Sequence, residues 1–392
     1  MIEDDAYYAC QYAEATVDGD VLTWATRAAL GPPGDRLTSA VLLAESARVA
    51  PGDRVLHMHC AEGVAGAAVA RHLETGTLTL LDAHVAAVDA ARCTLAANGI
   101  GGVQVLLSDC AEAVRGQCYD VVLSLLPKGR AAWEQTVLDA AATLRPGGDF
   151  YLAGANDAGI KSAAKFVERV FGQAIVLAYR GGCRVIRAAR PAAVDPPASD
   201  YYEWRIHEER VGGTQLAYAT KPGLFSWQRV DDGTRLLVEA LAEHPLHADD
   251  AVLDVGSGSG ILSLVAAQQA VQGGVVAVDA DCRAVDGTQR TLAHNQVARA
   301  EVLVSDCAWA VRERAFAALI TNPPFHRQRA TTYAVVEQII RDAARLLVAQ
   351  GRLYLVANRF LRYGPLIEDA FGNAAALCQT SRYTVWYAAK ER

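Results

Sequence analysis

The sequence has no C-x-x-C pair, no long apolar run and no excess of positive charge. Its nine cysteines are scattered and odd in number, which argues against structural zinc and against a disulfide framework. We therefore expect free, buried thiols and no metal ion. No apolar stretch is long enough to span a bilayer, and the acidic, polar first five residues do not begin a signal peptide. These absences predict a soluble, cytoplasmic protein without a membrane partner.

An internal repeat organises the chain of 392 residues, a length that suits two domains. Val55-Leu56 recurs as Val252-Leu253, 197 positions later. The same offset relates further pairs: Asp82 to Asp279, Thr94-Leu95-Ala96 to Thr291-Leu292-Ala293, and Ser108-Asp109-Cys110 to Ser305-Asp306-Cys307. We expect two copies of one domain, at 1–190 and 201–392, joined by a Pro/Ala-rich linker at 191–200.

Within each copy, short β-like runs alternate with longer helix-like runs. In the second copy the β-like runs lie at 251–255, 275–278, 301–304, 319–321 and 352–357, and the helix-like runs at 262–270, 284–295 and 335–348. This alternation predicts an α/β fold with a doubly wound, Rossmann-like sheet in each copy. Ligands of such sheets bind beyond the carboxyl ends of the strands. The side chains expected there are those of Asp254, Asp279, Asp306 and Asn322.

A glycine loop, V-L-D-V-G-S-G-S-G, follows the first β-run of the second copy. Gly256, Gly258 and Gly260 allow a ligand to approach the backbone closely. A dinucleotide-binding dehydrogenase would have its third glycine at Ile261, so the loop argues against NAD. Asp279 and Asp306, which end the next two β-runs, could each simply cap a helix. Their order along one sheet favours a binding role, in which Asp279 accepts from ribose hydroxyls and Asp306 accepts from an adenine amino group.

Residues 322–325 read Asn-Pro-Pro-Phe directly after an apolar run. The two prolines remove backbone donors, so the carbonyls of this turn and the Asn322 carboxamide present free acceptors. Asn322 and Pro323 can each accept one N–H of a planar amino group, which turns the nitrogen lone pair towards an electrophile. Phe325 can stack on the ring. An ordinary strand-ending turn is the plain alternative.

These motifs together resemble the class I S-adenosylmethionine-dependent methyltransferases with an N-P-P-[FY] turn. More closely, Phe225-Ser226, the 322–326 turn, the V-A-N-R-F-L run at 356–361 and Phe371-Gly372 resemble bacterial ribosomal RNA guanine-N2 methyltransferases of the RsmC/RlmG type. That resemblance implies methyl transfer from S-adenosylmethionine to a guanine N2 amino group in 16S ribosomal RNA. It also implies tandem methyltransferase domains with a degenerate first copy.

The resemblance assigns roles to particular positions. It implies that S-adenosylmethionine lies over the glycine loop, and that the guanine lies in the Asn-Pro-Pro-Phe turn. The cofactor-binding residues would be Asp254, Gly256, Gly258, Gly260, Asp279 and Asp306, and the catalytic residues Asn322, Pro323 and Phe325. The net charge of −7 is not that of a general nucleic-acid binder. RNA contacts are therefore expected from local arginines beside the site: Arg327, Arg329 and Arg359.

The first copy lacks this chemistry. His57 replaces the acid of the loop, His59 and Ala61 replace two glycines, and Leu125 replaces the asparagine. We expect residues 1–190 neither to bind cofactor nor to catalyse, but to serve as a scaffold or RNA-docking domain. A metal held by His57, His59 and Cys60 is disfavoured because no fourth ligand is evident.

Other functions share parts of the pattern. A methyltransferase acting on a 23S ribosomal RNA guanine, on DNA adenine or cytosine, or on a protein glutamine would use the same turn. A non-enzymatic RNA-binding assembly chaperone would not need the intact loop and turn of the second copy. Ribosomal RNA or an assembled ribosomal subunit is the expected partner, and a monomer is the expected state because duplicated domains can satisfy an interface within one chain.

Overall fold

The computed structural model describes residues 6–193, 197–324 and 329–391, with the backbone alone described at 329–332. The chain divides into two units, Met1–Tyr201 and Tyr202–Arg392. The division falls one residue after the predicted start of the second domain.

The first unit contains an antiparallel hairpin of two strands and a sheet of seven. Its strands are β1 (Gln11–Val17), β2 (Asp20–Thr26), β3 (Arg54–Met58), β4 (Thr77–Asp82), β5 (Gln104–Leu107), β6 (Tyr119–Leu125), β7 (Leu144–Ala155), β8 (Ile175–Arg180) and β9 (Cys183–Ala189). Its helices are α1 (Gly34–Ser46), α2 (Val64–Ala70), α3 (Val85–Ala97), α4 (Arg130–Thr143) and α5 (Ile160–Phe171). The large sheet has the order β5-β4-β3-β6-β7-β9-β8.

The second unit repeats this plan. Its strands are β10 (Arg205–Val211), β11 (Thr214–Thr220), β12 (Val252–Val255), β13 (Val275–Asp279), β14 (Ala300–Val304), β15 (Phe316–Thr321), β16 (Leu347–Asn358), β17 (Ala375–Gln379) and β18 (Tyr383–Ala389). Its helices are α6 (Asp232–Glu243), α7 (Ile261–Gln269), α8 (Cys282–His294), α9 (Arg329–Leu346) and α10 (Tyr363–Phe371). The sheet order β14-β13-β12-β15-β16-β18-β17 is the same as in the first unit, which confirms the predicted pair of doubly wound α/β domains.

The central strand β12 shows why these sequences form parallel strands. All four of its residues are buried, and it pairs in parallel with β13 on one side and β15 on the other. A strand covered on both faces is a continuous apolar run, as Val-Leu-Asp-Val is except at Asp254. Because its neighbours run parallel, the carboxyl ends of β12, β13, β14 and β15 meet at one edge. On the other side of β16, β18 runs antiparallel between β16 and β17 and completes the sheet.

The repeated residues hold the same loops in both units. In the first, Ala61 N donates to Asp82 Oδ2 at 3.0 Å, and in the second Gly258 N donates to Asp279 Oδ2 at 3.0 Å. Similar pairs of bonds are made by Thr94 and Thr291 to strands β2 and β11, and by Ser108 and Ser305 to the turn that follows each. The repeated acids therefore have a structural role whether or not a ligand binds.

The cysteines depart from expectation at one place. Cys10 and Cys93 form a disulfide across 83 residues, where free thiols were predicted. No spacing rule could have revealed this pair, because the fold alone brings the segment before β1 to α3. The remaining seven cysteines are not disulfide-bonded, and four of them are buried: Cys60, Cys110, Cys183 and Cys307. None of the described helices is both long and apolar enough to cross a membrane.

Candidate active site

The glycine loop lies between β12 and α7 at the carboxyl edge of the second sheet. Gly256 and Gly258 have left-handed φ angles of +78° and +59°, and a Cβ built on either would meet nothing within 4 Å. The loop backbone is therefore open to a ligand at these two positions. Gly260 differs, because its Cβ would lie 2.9 Å from Thr288 Cα. This third glycine permits close packing of the loop against α8.

Asp279 ends β13 beside this loop. Its Oδ2 accepts from Gly258 N at 3.0 Å, and its Oδ1 accepts from Asp281 N at 2.9 Å. A carboxylate has about four acceptor positions, which suits hydroxyl donors. Asp306 follows β14 and is buried, with 6% of its surface exposed. Both acids thus lie at the predicted edge of the sheet.

Asp254 lies inside the core instead of on the open surface. It is fully buried, and Ser263 Oγ donates to its Oδ2 at 2.5 Å. Burial, reinforced by the negative charge of Asp279 and opposed by the Ser263 hydrogen bond, raises the pKa of Asp254 to about 7. The contact with Ser263 ties the end of β12 to α7, which supports the glycine loop from below.

Asn322 follows β15, one strand away from the loop. Its Nδ2 donates to Thr234 Oγ1 at 2.8 Å and to Asp231 Oδ2 at 3.2 Å. Its Oδ1 is buried and has no hydrogen-bond partner. The preceding Thr321 anchors the strand end, because its Oγ1 donates to Val255 O at 2.8 Å. The asparagine therefore offers one free acceptor, held in place by its two donors.

One cleft joins the loop and the asparagine. It is lined by the loop from Gly256 to Ser259, by Asn322, by Asp231 and Thr234 at the start of α6, and by Phe225, Ser226 and Arg229. Phe225 has 55% of its surface exposed. The sequence analysis had not placed Asp231, Thr234 or Arg229 in the site. Asp231 carries the signal of a helix N-cap, but that signal does not reveal a contact 91 residues away.

The remaining predicted residues are described to different extents. Phe325 and Arg327 lie outside the described residues. Arg329 begins α9, and its side chain is not described. Arg359 is exposed just beyond β16, the strand next to β15, and its backbone N donates to Arg382 O at 2.8 Å. Phe360 beside it has 76% of its surface exposed.

The equivalent loop of the first unit keeps the backbone shape without the glycines. His59 and Ala61 both adopt left-handed φ angles of 49°. The His59 Nε2 lies 2.9 Å from Thr136 Oγ1 of α4. His57 is fully buried with neither ring nitrogen hydrogen-bonded, and this burial lowers its pKa to about 3. Side chains thus project where the second unit has bare backbone.

The residue that follows the predicted linker packs on the same edge of the first unit. Tyr201 has only 2% of its surface exposed, and its hydroxyl donates to Asp109 Oδ1 at 2.9 Å. Asp109 is the repeat equivalent of Asp306. In the first unit, a residue of the chain itself therefore occupies an acceptor of this acid.

The fold and this site define a class of protein, the S-adenosylmethionine-dependent methyltransferases. The model of the Methyltransferase small domain family matches residues 36–187 and 215–387. The chain belongs to this family, and both of its units are matched.

Similar proteins cover most of the chain. Ribosomal RNA small subunit methyltransferase C of Stutzerimonas stutzeri is 35% identical over 272 residues, which are 69% of this chain and 80% of the relative. The protein of that name from Chromohalobacter salexigens is 37% identical over 280 residues, 68% of this chain and 77% of the relative. The structure of the 16S rRNA N2 methyltransferase RsmC of T. thermophilus, in complex with AdoMet and guanosine, has a TM-score of 0.81 and 30% identity, and covers 99% of both chains.

Proposed function

We propose that the second unit transfers a methyl group from S-adenosylmethionine to the exocyclic N2 amino group of a guanine in small-subunit ribosomal RNA. One observation carries the proposal. The buried, unpaired Oδ1 of Asn322 lines the same cleft as the open glycine loop. An acceptor held beside a cofactor cradle suits an amino group as the nucleophile. The names of the relatives supply the RNA and the base.

The cofactor fits the residues of the loop. A Cβ built at Gly256 or Gly258 would meet no atom within 4 Å, so a ligand has room to lie against the backbone there. Asp279 would accept from the ribose hydroxyls and Asp306 from the adenine amino group. Asp254 would act by supporting the loop through Ser263. When bound, S-adenosylmethionine supplies a methyl group on a positively charged sulfur.

The chain's own part in the reaction is alignment. Asn322 Oδ1 and the Pro323 carbonyl would each accept one N–H of the guanine amino group, and Phe325 would stack on the base. Two accepted hydrogen bonds localise the nitrogen lone pair and aim it at the methyl carbon. No strong base is required before transfer, because the proton leaves the methylated nitrogen afterwards, to solvent. Arg327, Arg329 and Arg359 would contact phosphates.

The first unit is proposed to be a non-catalytic scaffold or RNA-docking domain. The side chains of His59 and Ala61 stand in its loop, Leu125 stands in place of the asparagine, and Tyr201 bonds to Asp109. Each of these removes a feature that the second unit offers to a cofactor or a base. The domain assignments 1–190, 191–200 and 201–392 are retained with these roles. A monomer that acts on ribosomal RNA or on a ribosomal subunit in the cytoplasm completes the proposal.

The test is labelled methyl transfer. Purified protein and radiolabelled S-adenosylmethionine are incubated with unmodified small subunits, large subunits and their naked RNAs, and the labelled nucleoside is identified. We expect N2-methylguanosine in small-subunit RNA and a loss of label in Asn322→Ala. Gln379→Ala, which removes an exposed carboxamide from β17, is the control. Label in another nucleoside or in protein would refute the proposal.

A further inference from the structure

We propose that Asp231 and Thr234 are positioning residues that select which end of the Asn322 carboxamide faces the substrate. The inference rests on the proposed function, because it concerns the acceptor for the guanine amino group. A carboxamide has an oxygen that accepts and a nitrogen that donates, and the two ends have nearly the same shape. Only one of the two orientations can bind an amino group through its N–H.

The surroundings of Asn322 decide between these orientations. An ionised carboxylate can only accept, so Asp231 Oδ2 at 3.2 Å requires the nitrogen end of Asn322. Thr234 Oγ1 takes the second N–H at 2.8 Å. Both donors of the carboxamide are then used within the protein. Its oxygen is left as the one group free to accept, and this oxygen is buried without a partner.

Asp231 is itself held firmly. It caps α6, because its Oδ2 accepts from Gly233 N at 2.9 Å and from Thr234 N at 3.2 Å. These two backbone donors fix the position of the carboxylate oxygen. Asp231 thus has two roles, because the carboxylate that caps α6 also orients Asn322, the proposed acceptor for the guanine amino group.

Asp231→Asn tests the inference while keeping the cap, since asparagine and aspartate cap helices about equally well. The new side chain can place an N–H where Asp231 offers only an acceptor, so the Asn322 carboxamide loses its preferred orientation. We expect the kcat for label transfer to small subunits to fall by roughly 10²-fold, as when one preorganised hydrogen-bonding group is removed. S-Adenosylmethionine affinity should be unchanged.

Asp232→Asn is the matched control. It removes the same charge one residue later, where Asp232 pairs with Arg382 at 3.2 Å and makes no described contact with Asn322. This variant should retain wild-type kcat. Thr234→Val is the second variant, because it removes the hydroxyl that accepts from Asn322 and leaves the Asp231 cap in place. It should also lower kcat, as Asp231→Asn does.

Two readouts separate positioning from a general structural effect. Free guanosine should inhibit the wild type more strongly than inosine, which lacks the N2 amino group, by about tenfold for one hydrogen bond. In Asp231→Asn this ratio should approach one. In an Asn322→Ala background, Asp231→Asn should not change the ratio of guanosine to inosine affinity, measured by direct binding, because the group that it orients is gone.

Three results would overturn the inference. If Asp231→Asn had the same kcat and the same guanosine-to-inosine inhibition ratio as Asp232→Asn, the orientation of the Asn322 carboxamide would not require a carboxylate. An equal change in the ratio of guanosine to inosine affinity with and without Asn322 would show that Asp231 acts elsewhere. Wild-type protein that labels no guanine would refute the proposed function first, and this inference with it. Folding of every variant is checked by its thermal transition.

Discussion

Asp254 is a carboxyl group enclosed in the core of the second unit, and its protonation is linked to stability. Its pKa in the folded protein is about 7, against an ordinary value of 3.8. Between these values the folded state binds more protons than the unfolded state, so the contribution of this group to stability is fully present below about pH 3.8 and is lost as the pH rises to about 7. Asp254→Asn should remove this dependence.

Calorimetry of the full chain from pH 5 to pH 8 measures this effect. The Tm of Asp254→Asn relative to wild type should rise from pH 5 to about pH 7 and level off above it, because the variant has no carboxylate to ionise in the core. Asp232→Asn, on the surface, is the control for loss of an acid. A constant difference in Tm at all pH values would contradict the prediction.

The first unit shows a coordinated change at the same two positions. His57 replaces Asp254, and Gly66 replaces Ser263. A Cβ at Gly66 would lie 3.2 Å from His57 Nδ1 and 3.1 Å from both δ-carbons of Leu80, so the imidazole and its neighbour leave no space for a serine. We expect Gly66→Ser to lower the free energy of unfolding by roughly 1–3 kcal/mol through overpacking, as measured by urea denaturation.

Gly101→Ser serves as the control for this substitution, since a Cβ there would meet nothing within 4 Å. Its effect should stay within about 0.5 kcal/mol. In a His57→Asp background, Gly66→Ser should be less destabilising, because the serine hydroxyl regains a carboxylate partner. Equal losses in the two backgrounds would show that the two positions are not coupled.

At the scale of the element, the glycines of the loop have two different roles: Gly258 leaves the backbone open to a ligand, and Gly260 allows close packing against α8. Gly258→Ala would place a methyl group in open space beside the proposed cofactor, at a backbone angle that costs about 1 kcal/mol for a non-glycine residue. The first unit carries alanine at the equivalent position, Ala61, with a left-handed φ of 49°, so the fold tolerates it. We expect S-adenosylmethionine affinity to fall by at least about tenfold with a small change in Tm.

Gly260→Ala provides the contrast, because its methyl group would meet α8 at 2.9 Å. That variant should lose stability first. Isothermal titration calorimetry with S-adenosylmethionine and thermal unfolding of both variants distinguish the two cases. A wild-type affinity in Gly258→Ala would remove the loop from the proposed cofactor site.

Elements with a local apolar pattern were predictable from the sequence. The fully buried run of β12, the alternation that follows it and the repeat at a constant offset led to the sheet and to the acids and asparagine at its edge. Contacts between distant segments were not predictable. The bonds from Asn322 to Asp231 and from Tyr201 to Asp109 span 91 and 92 residues, and no periodicity encodes such a pairing. The disulfide was missed for the same reason.

At the scale of the whole molecule, duplication raises the question of how many cofactors one chain binds. The first unit keeps the sheet, the loop backbone and the acids of the second, but the side chains of His59 and Ala61 project from its loop. Tyr201 also covers Asp109. We expect one S-adenosylmethionine per full-length chain by isothermal titration calorimetry, and a lower occupancy of that one site in a Gly258→Ala variant at concentrations that just saturate the wild type.

Tyr201→Phe tests which of these features excludes a second cofactor. Removal of the hydroxyl leaves Asp109 Oδ1 without this donor, so the free energy of unfolding should fall by about 0.5–1.5 kcal/mol. Binding should still stop at one cofactor per chain, because a freed acid does not reopen a loop whose glycines are gone. Two bound molecules in Tyr201→Phe would mean that Tyr201 alone blocks a competent site. Two bound molecules in the wild type would contradict the expectation that the first unit binds no cofactor, on which its non-catalytic role rests.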